Sequence, residues 1–248
     1  MKPLGTLLLG TAAYGVFLIA TVPAAWLAGR AAGVSQGQVI LASAEGTLWK
    51  GSARANVATA GIAFSVDQLR WQFLPSRIFA GRIAFAIEGR VAGLEASMEA
   101  ARGPQEWSLR DLRASGDAAA LGTIYPIAAA WQPAGPLAVE AAHLAWDGSR
   151  AAGTLTAEWR DAALSLSAAR PLGSWRAKAE GDGAAVKVTL ATAKGPLQLS
   201  GSGTLPLPGR FTFTGEARAD PGRERELEAL LALLGPRRAD GAHTLAAR

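Results

Sequence analysis

Hydrophobic and polar side chains alternate with a period of two along most of the chain beyond residue 40. Ile83, Phe85 and Ile87 fall on one side, with Ala84, Ala86, Glu88 and Arg90 on the other. Leu155, Ala157 and Trp159 oppose Thr154, Thr156, Glu158 and Arg160, and Val186, Val188 and Leu190 oppose Lys187 and Thr189. Leu197, Leu199 and Leu205 oppose Gln198, Ser200, Ser202 and Thr204. Phe211, Phe213, Gly215 and Ala217 oppose Thr212, Thr214, Glu216 and Arg218. Successive side chains of a strand point to opposite faces, so each run predicts an antiparallel strand with one dry and one wet face. Turn formers separate the runs: Gly181-Asp182-Gly183, Asp147-Gly148-Ser149, Gly195-Pro196 and Leu207-Pro208-Gly209. Between Ile62 and Phe73 the dry positions are even through Val66 and odd from Leu69, which predicts a bulge or bend at Asp67-Gln68.

Two segments break this rhythm. Leu227, Leu230, Leu231 and Leu234 have the i, i+3, i+4, i+7 spacing of one helix face, after Asp220-Pro221 and before Gly235-Pro236. They predict one short amphipathic helix lying on the sheet. At the other end no charged residue occurs from Pro3 to Gly29, and Leu4, Leu8, Tyr14, Phe17, Leu18, Ile19, Trp26 and Leu27 lie in a stretch long enough to cross a bilayer as a helix. Val22-Pro23-Ala24 also looks like a signal-peptide cleavage site, but an h-region normally runs about 7–15 residues and this stretch is longer. The expectation is an uncleaved anchor over 1–30, with a β-rich domain over 31–248 beyond the cytoplasm. Lys2 lies before the stretch and Arg30 after it, and so short an N-terminal flank is most easily left inside. The leucine run at 227–234 is too short to be a second span.

Composition sharpens this picture by exclusion. The absence of cysteine rules out disulfides and thiolate metal sites. Beyond residue 30 there are 23 Lys and Arg against 20 Asp and Glu, intermixed in sign. No basic stripe with interleaved aromatics appears, so no nucleic-acid partner is expected. Only His143 and His243 carry imidazoles, and neither has further ligands at metal spacing around it. The chain carries no Gly-x-Ser-x-Gly elbow, phosphate loop or dinucleotide fingerprint, and Gly201-Ser202-Gly203 interrupts a strand pattern without opening a helix. No catalytic residue, metal or cofactor is therefore assigned, and the expected class is non-enzymatic. Of the eight tryptophans, seven lie beyond the apolar segment. On strands they are expected as core pillars, with a ligand-binding row as the alternative.

The segment Glu45-Gly46-Thr47-Leu48-Trp49-Lys50-Gly51-Ser52-Ala53 is followed by Leu69-Arg70-Trp71-Gln72-Phe73-Leu74-Pro75 and then Ala80-Gly81-Arg82-Ile83. Gly-Pro-Leu recurs at 135–137 and 195–197, and Leu230-Leu231-Ala232-Leu233-Leu234-Gly235 precedes Asp240-Gly241. In order and spacing these resemble the type II secretion system protein N (GspN) family, with Gly46, Trp49, Gly51, Trp71, Pro75, Gly81, Gly235 and Gly241 as the motif positions. The chain stops soon after Asp240-Gly241, so a final strand there is expected to be short or absent. The resemblance implies a single-pass inner-membrane protein with a periplasmic β-rich domain. It implies partners among other secretion-system proteins and a part in exporting folded proteins across the outer membrane of a Gram-negative envelope.

The chain is also distantly similar to AsmA-type envelope proteins, whose curved sheets form apolar grooves. One-sided strands can either stack as a sandwich or curl around a groove. A continuous apolar trough would favour a periplasmic protein that handles lipid as the alternative role, and a closed sandwich with a filled interior would exclude it.

Overall fold

The computed structural model describes residues 11, 14, 15, 17–59 and 62–247. The period-two runs become strands β1 (Val39–Gly46), β2 (Lys50–Thr59), β3 (Ile62–Phe73), β4 (Ile83–Val91), β5 (Leu94–Arg102), β6 (Trp107–Asp117) and β7 (Pro136–Trp146). They continue as β8 (Ala151–Ala162), β9 (Gly173–Gly183), β10 (Ala185–Lys194), β11 (Leu197–Pro206), β12 (Thr212–Ala219) and β13 (His243–Ala247). All thirteen pair with their sequence neighbours in one open antiparallel sheet. That decides between the two architectures left open by the pattern: the sheet is single, not half of a sandwich.

Register carries one apolar face across the whole sheet. The facing rows include Trp71↔Ile87, Ile87↔Met98, Leu109↔Leu144, Leu155↔Ala179, Val188↔Ala179, Leu190↔Gly201 and Leu199↔Ala217. The opposite face carries the charges, with Glu158 beside Arg176 and Lys178 beside Glu180. The shift expected at Asp67-Gln68 is present. Two residues of β3, Asp67 and Gln68, lie opposite one of β2, Arg54, between the pairs Ala53↔Leu69 and Ala55↔Val66. The extra residue returns Val66 to the apolar side occupied by Leu69 and Trp71. A similar shift in β7 between Glu140 and Leu144 keeps Val139 and Leu144 on one face despite their opposite parity.

Helices cover both lateral ends of this face. Helix α1 (Ala24–Val34) lays Ala24 and Leu27 against Ala53, Trp71 and Leu69 at the β1–β3 end. Between β6 and β7 the chain makes two short helices, α2 (Ala120–Ile124) and α3 (Pro126–Ala129), which no hydrophobic period announced. Helix α4 (Glu224–Leu234) is the expected amphipathic one. Its Leu227, Leu230 and Leu231 are buried against Trp175, Leu197 and Ala217 at the β9–β12 end. The last strand, β13, is short, as expected.

The apolar N-terminal segment divides at Pro23. Residues 17–20 are helical, Thr21 is a turn, and Pro23 forms a β-bridge with Thr47 before α1 begins. Pro cannot donate the backbone hydrogen bond that would carry a helix through this point. Among the described residues no helix is long and apolar enough to cross a membrane. Leu4 and Leu8 of the expected anchor lie outside the described residues. Tyr14, Phe17, Leu18 and Ile19 are exposed in the described part, while Trp26 and Leu27 belong to α1.

Candidate functional site: an apolar trough between a helix-flanked base and a bare rim

The antiparallel meander puts alternate strand ends together. At one end, the base, β8 delivers Trp159 and β9 Trp175, with ring centroids 5.4 Å apart and edge to face. Trp175 Nε1 donates to the Leu197 carbonyl at 3.0 Å and Trp159 Nε1 to that of Ala134 at 3.1 Å, so the buried Trp175 and the half-buried Trp159 both have their polar atom satisfied. The loop after β8 adds Leu172, and Ser174 Oγ accepts the Asp161 amide at 2.9 Å. Leu121 and Trp131 from the α2–α3 segment and Leu230 and Leu234 from α4 flank a cavity of about 360 Å³. Apart from backbone, only apolar side chains line it.

At the other end, the rim, the same face is left open. A second pocket of about 420 Å³ is lined by Leu109, Leu144, Trp146, Leu155, Ala179 and Val186, among others, again without a polar side chain. Trp107 and Trp146 pair directly across β6 and β7, and are 52 % and 48 % exposed. The two cavities on one face of one sheet share an apolar lining, and differ in that helices and a buried cluster flank the base pocket whereas the rim pocket has none. Such a surface can hold hydrocarbon and offers no group to polarise or protonate a substrate.

The motif positions build the frame at the β1–β3 rim. Gly46 takes φ +87° to turn the chain, and Thr47 and Lys50 close the β1–β2 hairpin through Thr47 N–H to Lys50 O at 2.8 Å. Trp71 lies over Gly51: a Cβ at that glycine would stand 2.5 Å from the indole, so only hydrogen fits. Trp71 Nε1 donates to the carbonyls of Thr47 (3.2 Å) and Leu48 (3.1 Å). Trp49 packs on Phe73, with centroids 4.8 Å apart, and its Nε1 donates to the Ile19 carbonyl at 2.7 Å, tying the N-terminal segment to the rim. Pro75 opens a 3-10 helix (Pro75–Ala80) that Gly81 ends with φ +67°. At the far end of the chain, Gly235 passes beneath the Thr244 carbonyl, where a Cβ would clash at 1.9 Å, and Gly241 turns with φ +81°. The structure thus gathers Gly46, Trp49, Gly51 and Trp71 into one cluster, places Pro75 and Gly81 beside it, and leaves Gly235 and Gly241 at the opposite corner.

Titratable groups serve turns and surface pairs. The Asp147 carboxylate accepts backbone N–H bonds from Ser149 (2.8 Å) and Arg150 (2.7 Å), which hold its pKa below the usual range. Asp240 is likewise held low, first by the Ala242 N–H and then by Arg238 and Arg218. The Glu99 carboxylate, hydrogen-bonded at 2.8 Å, pushes Arg77 up. His143 is exposed on the charged face, and His243 Nδ1 lies 2.8 Å from the Gly235 carbonyl. Among the described residues no group of three His, Cys, Asp or Glu could hold a metal ion. Sequence reading missed Leu172, Trp131 and the α2–α3 cover, since Ala-rich segments without a period give no sign of where they pack.

No curated protein and no solved structure matches the chain. The sequence model of the family described as type II secretion system (T2SS), protein N, matches residues 37–246. That span runs from just before β1 into β13 and takes in every motif position named above. The chain therefore belongs to the type II secretion system protein N family.

Proposed function

We propose that the protein is a non-enzymatic, inner-membrane-anchored accessory component of the type II secretion system, with its sheet in the periplasm, contributing to the export of folded proteins across the outer membrane. The observation that carries this reading is the family match across the whole sheet. The non-enzymatic part is supported by the use of the motif residues as frame and by the hydrocarbon character of both cavities. The anchored part is supported by the exposed apolar side chains of Tyr14, Phe17, Leu18 and Ile19. The expected boundary at residue 30 falls inside α1, whose Ala24 and Leu27 pack on the sheet. The anchor we infer accordingly ends at the Thr21–Pro23 break.

Deleting the gene in a secreting host is expected to trap exoproteins in the periplasm and to be reversed by the full chain. Capture of the tagged protein from gently solubilised membranes is expected to recover secretion components. Normal secretion in the deletion strain, with no such components captured, overturns the proposal. A second reading, lipid handling, is favoured by one observation: the apolar face is open at the rim and lined by hydrocarbon alone. Lipid enriched in the same capture without secretion components would favour it.

A further inference from the structure

Large exposed apolar side chains gather at one place on the sheet, and the register makes them neighbours. Ile83 of β4 faces Arg102 of β5, Arg102 faces Trp107 of β6, and Trp107 faces Trp146 of β7. Ile83, Trp107 and Trp146 are about half exposed, and Arg102 is exposed too. The 3-10 helix leading into β4 adds Ile78, at 55 % exposure, and Phe79, at 95 %. A solitary exposed apolar residue is ordinary, but a contiguous set of this size needs a covering partner.

Three features say what covers it. The N-terminal segment leaves the sheet at this same end, held by Trp49 Nε1 on the Ile19 carbonyl, Leu48 N–H on the Val22 carbonyl at 2.8 Å, and the Pro23–Thr47 bridge. That segment is itself apolar and exposed at Phe17, Leu18 and Ile19, so one apolar phase would cover both. The second feature is charge. Arg77 and Arg82 are paired with Glu99 and Glu106, whereas Arg102 has no carboxylate partner among the described residues and lies over the Trp107 ring at 5.1 Å. The rim therefore offers a free cation to an anionic surface. The third is chemistry: tryptophan with arginine at the edge of an apolar patch suits the headgroup boundary of a bilayer, where one end of each side chain is dry and the other wet.

We propose that this rim is a membrane-contacting surface. Phe79, Ile78, Ile83, Trp107 and Trp146 enter the interfacial layer of the bilayer that holds the N-terminal segment, and Arg102 meets lipid phosphate. The trough then opens toward the membrane and the base, with α4, points away from it. This inference rests on the proposed anchoring and adds the orientation of the sheet.

The chain has no cysteine, so single labels are available without removing any. Phe79→Cys and Trp146→Cys would each carry an environment-sensitive fluorophore on the full chain, reconstituted into phosphatidylethanolamine–phosphatidylglycerol vesicles. Leu233→Cys, at a position on α4 that is 68 % exposed, is the control. The rim labels are expected to shift to the blue and to be quenched by nitroxide lipids roughly twofold or more beyond the Leu233 label. Two rim positions guard against one variant that fails to fold. If the chain floats with the vesicles and both rim labels stay as wet as the control, the rim contact is overturned while anchoring stands. If it does not float, both fail. Rim labels that dry only when secretion-machine proteins are added would make the rim a protein docking face, and would also overturn the proposal. Neither result depends on whether the deletion strain secretes.

Discussion

Trp175 and Trp146 occupy the same apolar face of the same sheet, yet one is 7 % and the other 48 % exposed. Both lie on strands of 11 residues, and both pair across from another tryptophan, Trp159 and Trp107. What separates them is what lies above. At the base, α4, the α2–α3 segment and the Leu164–Leu172 loop flank the face, and nine buried residues form one cluster. At the rim the strands are joined by short turns, such as Asp147–Arg150, and by the 3-10 helix between β3 and β4, whose Phe79 stays exposed. The comparison teaches that strand pattern fixes the direction of a side chain, and the connections fix its burial. In a single-layer sheet, stability concentrates where connections fold back, and the bare remainder is free to meet something else.

The strongest way to break this contrast is at a point of contact between strand and connection. Trp175→Ala removes a buried indole and orphans the Leu197 carbonyl, and is expected to cost about 3–5 kcal/mol. Trp146→Ala, on the same face, is expected to stay within about 1 kcal/mol, since truncating an exposed side chain leaves no cavity. Denaturant unfolding of the two variants in detergent measures the difference, and equal losses would show that the rim is covered after all. Next, Gly51→Ala drives a Cβ into Trp71 and the Glu45 carbonyl. Its cost is expected to be about 1–3 kcal/mol by overpacking, confined to the β1–β3 end. Hydrogen exchange should then show β1–β3 loosened and β9–β12 unchanged, whereas uniform loosening would mean that the two ends are not separate units.

A smaller effect is expected from Leu233→Ser on the outer side of α4, within about 0.5 kcal/mol, against about 2–5 kcal/mol for Leu227→Ala on its buried side. Reversal of that order would place α4 the other way round. The smallest effect is pH-dependent. The pKa of Asp147 is lowered by the turn it organises, so its contribution is fully present above the ordinary carboxylate pKa and is lost as pH falls through the depressed value. Asp147→Ala should remove that part of the acid dependence. Its rim turn is exposed, so the change should appear as local exchange at Ser149 and Arg150 rather than as global unfolding.

The direction of each side chain was legible in the sequence because period two is a property of the strand alone. The runs around Phe85, Leu155, Val188 and Phe213 became strands, and the parity switch at Asp67-Gln68 became the bulge in β3. Leu227, Leu230 and Leu231 announced α4 and its buried side, because helix spacing names the face. The single sheet was not legible, since sandwich strands and open-sheet strands share one pattern. Nor was the cover: Ala118 and Ala120 are buried, but an alanine-rich stretch around Pro126 carries no period to say so. The motif cluster was legible as a list of positions only. Its geometry, Trp71 flat on Gly51 and Trp49 reaching Ile19, depends on β1, β2 and β3 coming into register with the N-terminal segment.

The most direct test of an apolar face packed under helices at its base and bare at its rim places one cysteine in each region of this cysteine-free chain. Ala179 lines the open pocket, and Ala217 is 0 % exposed beneath α4. Alanine to cysteine is a small change at either position. In detergent-solubilised full chain, Ala179→Cys is expected to react with a small apolar thiol reagent at least roughly tenfold faster than Ala217→Cys, in keeping with free access at one site and local opening at the other. Equal and slow reaction at both positions would mean that the trough is filled along its length, and would contradict the account.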